Sequence, residues 1–422
     1  MLRVPIAYAK PGMVLAVPIY HPRRQDTVLL SEGMSLDSRS IARLAEIQLK
    51  DLWIRYPGVD FVGQYICPAV FDAHANLTRK IAEAFELVSL GTPTKLEYMA
   101  YRHSISSLMD RLIASPRAAV FVQEMVDRGA PILSHASTVS FIAVLMGLKL
   151  DDYLITERTR LVSHVARDVT SLGVGAMLHD VGMLRLPPEV IEYWNRTLDE
   201  THEPWRAHVQ IGYELVKDAI GPSAAAGVLH HHQKFNGGGF PARKKLGGGD
   251  ERLSGSDIHV FARIISVADL FDRLRNPPGA PTDAAPVPVV RVLRQLQEPP
   301  YSHWIDPMVF KALLAVVPAY LPGTMVKLSN GMQAVVVEWF PDDPCRPTVQ
   351  TIGDPTVDFD KETRASDRFV LRQMTGLTIV GAEGQDVSND NFYPSVPGQF
   401  DLKLAGKALF NSAVELPLER AG

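Results

Sequence analysis

The run Ala176-Met177-Leu178-His179-Asp180-Val181-Gly182-Met183 constrains this chain more than any other stretch, because it sets an imidazole and a carboxylate side by side inside an apolar segment. Burial favours the apolar residues, but an unpaired carboxylate taken out of water carries a large desolvation cost. Either the pair lies on the exposed edge of a helix, or a partner in the interior compensates it. A metal ion is the most effective partner, since a bound cation is often the largest local charge in a site.

The other histidines weaken the exposed-edge reading. Of the 13 in the chain, His135, His179, His208, His231 and His232 fall in one window, and Asp269 follows in the run Ala262-Arg263-Ile264-Ile265-Ser266-Val267-Ala268-Asp269. Imidazole and carboxylate together suit zinc, iron or manganese, whereas magnesium and calcium prefer oxygen alone. Apolar periodicity places these residues on separate helices: Leu133 to Leu150 for His135, Ser171 to Leu184 for His179 and Asp180, Glu203 to Ile220 for His208, Pro222 to Gln233 for His231 and His232, and Asp257 to Asn276 for Asp269. Inward-facing side chains from several helices are the usual way a bundle builds a metal centre.

A chain of 422 residues exceeds what one core serves, so several domains are expected. Residues 1–65 read as a small α/β domain: β-rich Val14 to Val17 and Thr27 to Leu30, a helix opening at Leu36 with Ile41, Leu44 and Ile47 on one face, and a strand at Leu52 to Ile54. Residues 66–115 read as a helical connector, with Leu77, Ile81, Phe85 and Val88 on one stripe and a second helix from Lys95 to Ile113. The helical metal-binding domain is assigned to 116–320. A β segment follows at 321–380, with an Asn330-Gly331 hairpin signal. Residues 381–422 are polar and read as an extended tail. Within the helical domain, Gly237-Gly238-Gly239 and Gly247-Gly248-Gly249 mark a loop long enough to act as a lid. Arg243, Lys244 and Lys245 give that loop a dense basic cluster, placed to attract a phosphate or an acidic partner.

The balance of 43 Lys and Arg against 47 Asp and Glu gives no overall field for a nucleic-acid polymer or an anionic membrane. Cys67 and Cys345 form no CxxC pair, which fits a reducing cytoplasm better than a disulfide framework. The longest apolar stretches, Val139 to Leu148 and Met308 to Leu321, are short or interrupted, so no membrane span is expected; Pro5, Pro11, Gly12 and Pro18 break up the start, so no secretion signal is expected.

The ordered set His135, His179-Asp180, His208, His231-His232, Gly239-Phe240-Pro241 and Asp269 resembles the HD-GYP branch of the HD phosphohydrolases, with Phe240 in place of the signature tyrosine. Ala9 to Leu15 is similar to a small N-terminal domain often joined to that branch, and Tyr320 to Leu328 to the segment that often follows it. The resemblance implies a multidomain protein, mainly an α-helical HD-type bundle with a small N-terminal α/β domain and a C-terminal β-containing segment. It implies hydrolysis of cyclic di-GMP in bacterial signalling by two divalent transition-metal ions, iron or manganese. One ion falls to His135, His179 and Asp269, the other to His208, His231 and His232, with Asp180 bridging as the catalytic carboxylate. Arg263 matches an arginine that meets substrate phosphate, and Lys234 is assigned to the same task. Cyclic di-GMP, signalling proteins and a second copy of the chain are the implied partners.

The departures fall on the substrate side. Met183 stands where the family usually has a lysine, and Gln233, Asn236 and Phe240 replace Glu, Asp and Tyr. Pro131 stands where members with a third metal carry Glu. His230 is read as a solvated or supporting neighbour of the ligands. Two alternatives therefore stay open: a regulator of the same fold with weakened or lost turnover, and a phosphohydrolase acting on another phosphate ester.

Overall fold

A computed structural model of the chain describes residues 1–21, 24–47, 49, 51–56, 58–65, 67–90, 97–117, 131–245, 247–281, 284–352 and 367–405. The N-terminal module pairs β1 (Leu2–Pro5) with β4 (Asp51–Ile54) antiparallel, Leu2 opposite Ile54, and β2 (Ile19–His21) with β3 (Arg24–Leu30). Its helix α1 (Ser38–Glu46) starts where the Asp37 carboxylate accepts from the Ser40 N–H at 2.6 Å, satisfying one of the donors a helix start leaves open. The strand expected at Val14 to Val17 is reduced to single bridges, Val14 to Ser35 and Leu15 to Ile54.

The expected connector is not a separate layer. Helices α2 (Pro68–Ser89) and α3 (Tyr98–Ala114) bury Leu77, Ile81, Phe85, Val88, Ile105 and Leu108 in the same core as the helices that follow. The start of the expected second helix at Lys95 and the segment 118–130 lie outside the described residues. At the centre runs α4 (Pro131–Lys149), mainly apolar and buried from Ala136 to Gly147. Contrary to expectation it is long and apolar enough to cross a membrane, yet 67% of its most apolar window is buried inside the fold, as in a core helix.

Around α4 lie α5 (Asp151–Glu157), α6 (Ser163–Ala166), α7 (Thr170–Leu178), α8 (Pro188–Thr197), α9 (Glu203–Val216), α10 (Pro222–His230) and α11 (Val260–Arg275). Glycines set how closely they cross. A Cβ on Gly175 would sit 2.9 Å from the Ala224 carbonyl oxygen, so α7 and α10 meet backbone to backbone. One on Gly182 would overlap the His208 carbonyl oxygen and come within 2.6 Å of the Gly212 nitrogen. The turn that carries Asp180 is thereby seated directly on α9.

Between α10 and α11 the glycine-rich loop is tied down. The Phe235 N–H donates to the Trp304 carbonyl at 2.7 Å, and Arg243–Lys244 (β5) pairs with Asp250–Glu251 (β6). After α12 (Val289–Gln295), α13 (Tyr301–Trp304) and α14 (Pro307–Val316), six antiparallel strands form a sheet in the order β10-β9-β8-β7-β11-β12. They are β7 (Met325–Leu328), β8 (Gln333–Glu338), β9 (Thr348–Thr351), β10 (Arg368–Val370), β11 (Ile379–Ala382) and β12 (Gln385–Asp386). β7 and β8 form the expected hairpin, with Gly331 at φ 88° in its turn. Val335 packs with Leu2, Val4, Leu15 and Ile54, joining the N-terminal module to this sheet.

The first part of the expected tail is packed. Val387 and Phe400 are buried in the main core, and Arg291 ties this segment to α12 through Asp390 at 3.0 Å. Arg275 also pairs with Glu383 at 3.1 Å, and the Tyr320 hydroxyl donates to Asn391 at 2.7 Å, so a segment of polar composition is held by a few apolar anchors and several polar ties. Residues 406–422 lie outside the described residues.

Candidate metal centre

The seven expected ligands come together from α4, the end of α7, α9, the end of α10 and α11. They form two groups: Asp180, His208, His231 and His232, and His135, His179 and Asp269. Asp180 joins them, one oxygen to each side. Its Oδ1 lies 3.5 Å from both His208 Nε2 and His231 Nε2, and its Oδ2 lies 3.7 Å from both His135 Nε2 and His179 Nε2. His135 Nε2 is also 3.2 Å from His179 Nε2 and from Asp269 Oδ1.

Local helix geometry aims the imidazoles. His179, His208 and His231 each donate Nδ1–H to the carbonyl three residues back, Ala176 at 2.8 Å, Trp205 at 2.6 Å and Val228 at 2.8 Å. This fixes the tautomer and leaves each Nε2 lone pair facing Asp180. His135 is oriented differently, with Nδ1 2.7 Å from Asp272 Oδ2. His232 stacks on Phe240, the ring centroids 4.8 Å apart.

The donors fit metal ions. His208 Nε2 and His231 Nε2 are buried without a hydrogen-bond partner, an arrangement that is expensive unless something else occupies those lone pairs. Burial pushes the His179 and His208 imidazoles down to about 4, so both are neutral and able to ligate. Burial also lowers His232. At His135 burial acts in the same direction, but the carboxylates of Asp269 and Asp272 outweigh it and raise the imidazole to about 10. Burial would raise Asp180; its surrounding histidines, His179 first, hold it well below the usual carboxylate range instead. Asp269 is likewise lowered against burial, chiefly by Arg273.

The substrate assignments fare differently. Arg263 is buried and engaged by other residues of the bundle. Its guanidinium is 4% exposed and donates to the Ile258 carbonyl at 3.0 Å, to the Tyr153 hydroxyl at 2.6 Å and to Asp306 at 2.7 Å, with Glu157 as a further partner. Inside the bundle the guanidinium spends four of its five N–H donors on two carboxylates, a phenol and a carbonyl, and so holds α11 to α5 and α14. Lys234 lies at the rim, 2.8 Å from Glu200 and 3.3 Å over the Trp304 ring. Met183 packs against the Trp194, Trp205 and Phe240 cluster. In the glycine-rich loop, Arg243 pairs with Glu251 and Lys244 with Asp250, so the expected basic cluster is largely neutralised by its own hairpin.

Three residues around the cluster went unread in the sequence: Asp272, Arg273 and Glu200. Asp272 and Arg273 follow Asp269 at i+3 and i+4, the spacing that puts side chains on one helix face, and this was the available signal. Glu200 lies in a turn far from them in sequence and carried none.

The HD domain family matches residues 132–274. The chain is 25% identical over 338 residues to cyclic di-GMP phosphodiesterase PA4108 of Pseudomonas aeruginosa, covering 72% of this chain and 74% of that protein. It is 30% identical over 110 residues to the cyclic di-GMP phosphodiesterase response regulator RpfG of Xanthomonas campestris, 25% of this chain and 27% of that one. It is 31% identical over 142 residues to 3'3'-cGAMP-specific phosphodiesterase 3 of Vibrio cholerae, 33% of this chain and 27% of that one. It thus spans about three quarters of the first and about a quarter of each of the other two.

Proposed function

We infer that this chain, an HD-GYP protein built on the HD domain at residues 132–274, is a metal-dependent phosphodiesterase that hydrolyses cyclic di-GMP in bacterial second-messenger signalling. The observation that carries the reading is the Asp180 carboxylate, whose two oxygens face two separate sets of imidazole nitrogens. Asp269 joins His135 and His179 on one side, and His232 joins His208 and His231 on the other. The mixed nitrogen and oxygen donors suit iron or manganese. Two such ions, when bound, supply Lewis acidity and charge stabilisation for displacement at a phosphodiester.

The protein's own groups orient and exclude. Backbone carbonyls fix three imidazoles, and Asp272 fixes the fourth. Phe240 and Trp205 wall off His232 and His208 from water. Lys234, partly exposed at the rim, is the cation we assign to substrate phosphate. The free thiols Cys67 and Cys345 support a reducing compartment, and we place the protein in the cytoplasm with signalling proteins or a second copy of the chain as partners.

A second reading rests on Met183 and Arg263. One gives no charge, and the other is locked in the core, so substrate phosphate meets fewer cations than metal ligands. This favours slow turnover, or a regulator that binds metal and a cyclic dinucleotide. Incubating manganese-loaded protein with cyclic di-GMP, and separately with 3'3'-cGAMP, separates the readings. Product from cyclic di-GMP that is lost in Asp180→Asn supports the enzyme; tight binding without product from either nucleotide replaces it with the regulator.

A further inference from the structure

The two carboxylates of the cluster have different neighbours. Among the described residues, every nitrogen within ion-pair distance of Asp180 belongs to a histidine. Asp269 instead carries a guanidinium: Arg273 Nε donates to Oδ1 at 2.9 Å and to Oδ2 at 3.1 Å, and Arg273 Nη2 lies 2.9 Å from Oδ2. The remaining arm, Nη1, reaches Glu200 at 3.0 Å, and the other oxygen of Glu200 takes Lys234 at 2.8 Å. The side chains of Arg273, Glu200 and Lys234 are 16–19% exposed, so this chain of charges is mostly screened by protein and not by solvent.

We propose that Arg273 makes the metal centre unequal: the ion at Asp180, His208, His231 and His232 binds tightly, and the ion at His135, His179 and Asp269 binds weakly because it shares Asp269 with a fixed guanidinium. The proposal rests on the metal-dependent reading above. A donor behind a ligating carboxylate ordinarily strengthens a site by fixing the ligand. A fixed cation also repels the incoming ion, and at a buried position salt does little to screen that repulsion. Glu200 offsets the charge only in part, since Lys234 draws on the same carboxylate. Charge therefore outweighs orientation, and the second ion, needed for turnover, is lost first when metal is scarce. Arg273 is in this sense a positioning residue that sets the metal concentration at which the site becomes complete.

The test is calorimetric titration of Mn2+ into the chelator-stripped full chain, with free Mn2+ counted by electron paramagnetic resonance. The wild type should show two steps at least about tenfold apart, the range over which groups behind metal ligands act. Arg273→Gln keeps a donor and removes the charge, so the second step should tighten by about tenfold with the first unchanged. Arg273→Lys should keep the gap, and Glu200→Gln should widen it. Two equal steps in the wild type overturn the proposal, as does an Arg273→Gln second step that is unchanged or weaker. Should Arg273→Gln not fold, an unchanged gap in Glu200→Gln overturns it on its own. A chain that binds no Mn2+ at all overturns the functional reading as well, whereas two equal steps leave that reading standing.

Discussion

The metal cluster and the rim that would meet substrate lie side by side in one helical domain, yet they are built on different principles. In the cluster, three imidazoles are aimed by carbonyls three residues back in their own chain segments, a geometry that local sequence is enough to produce. The cations expected to meet substrate depend instead on distant partners: Lys234, at the rim, on Glu200, and Arg263, inside the bundle, on Glu157 and Asp306. A locally determined ligand keeps its direction whatever happens elsewhere. A cation placed by tertiary contacts can be withdrawn by them, as Arg263 is.

The sharpest way to break this contrast is Asp180→Ala. Because Asp180 faces both halves, the substitution should remove both ions and lower turnover by at least about 10²–10³-fold, as elemental analysis and a cyclic di-GMP assay would report. Full metal content in the variant would refute the bridging role. Arg263→Ala comes next and should act on stability alone. It leaves Asp306, 2% exposed, without its guanidinium, and uncompensated buried charges of this kind cost about 3–5 kcal/mol. Denaturant unfolding of the metal-free chain would show the loss. A variant of unchanged stability with a raised KM would return Arg263 to the substrate.

Asp272→Ala probes the one imidazole that is aimed by a side chain. His135 loses its support, so metal affinity on its side should fall by about 10–100-fold while the ion at His208, His231 and His232 remains. The smallest change is expected from Met183→Lys. An ammonium in place of the thioether would add a donor beside the cluster, and turnover should rise by about tenfold, short of the full worth of a preorganised donor because the group remains flexible. No gain, in a variant that keeps its metals, would mean that the rim does not limit the rate.

The candidate ligand residues were legible in the chain because each lies on or at the end of a helix whose apolar period can be read directly, and because their order resembles a known family. The hairpin at Asn330-Gly331 was legible for a similar reason, its turn being specified by adjacent residues. The segment 66–115 reads as a connector because periodicity identifies an apolar face without naming what covers it; in the fold α2 and α3 share one core with the helices that carry the candidate ligands. The loop from Phe235 to Asp257 reads as a lid or a flap for the same reason. Glycine content was visible, but the pairing of Arg243 with Glu251 was not.

By itself, then, the sequence determined most of the helices and their apolar faces, properties set by residues within a few positions of one another, and the order of its histidines and aspartates singled out seven candidate ligands. Tertiary structure decided which cation serves an anion distant from it in the chain. Arg263 and Asp306 are 43 positions apart, and Arg273 and Glu200 are 73 apart. Electrostatic attraction acts on separation in space, and only packing fixes that separation. Whether an arginine meets a substrate phosphate, braces a bundle or stands against a metal ligand is therefore settled when the helices close on one another.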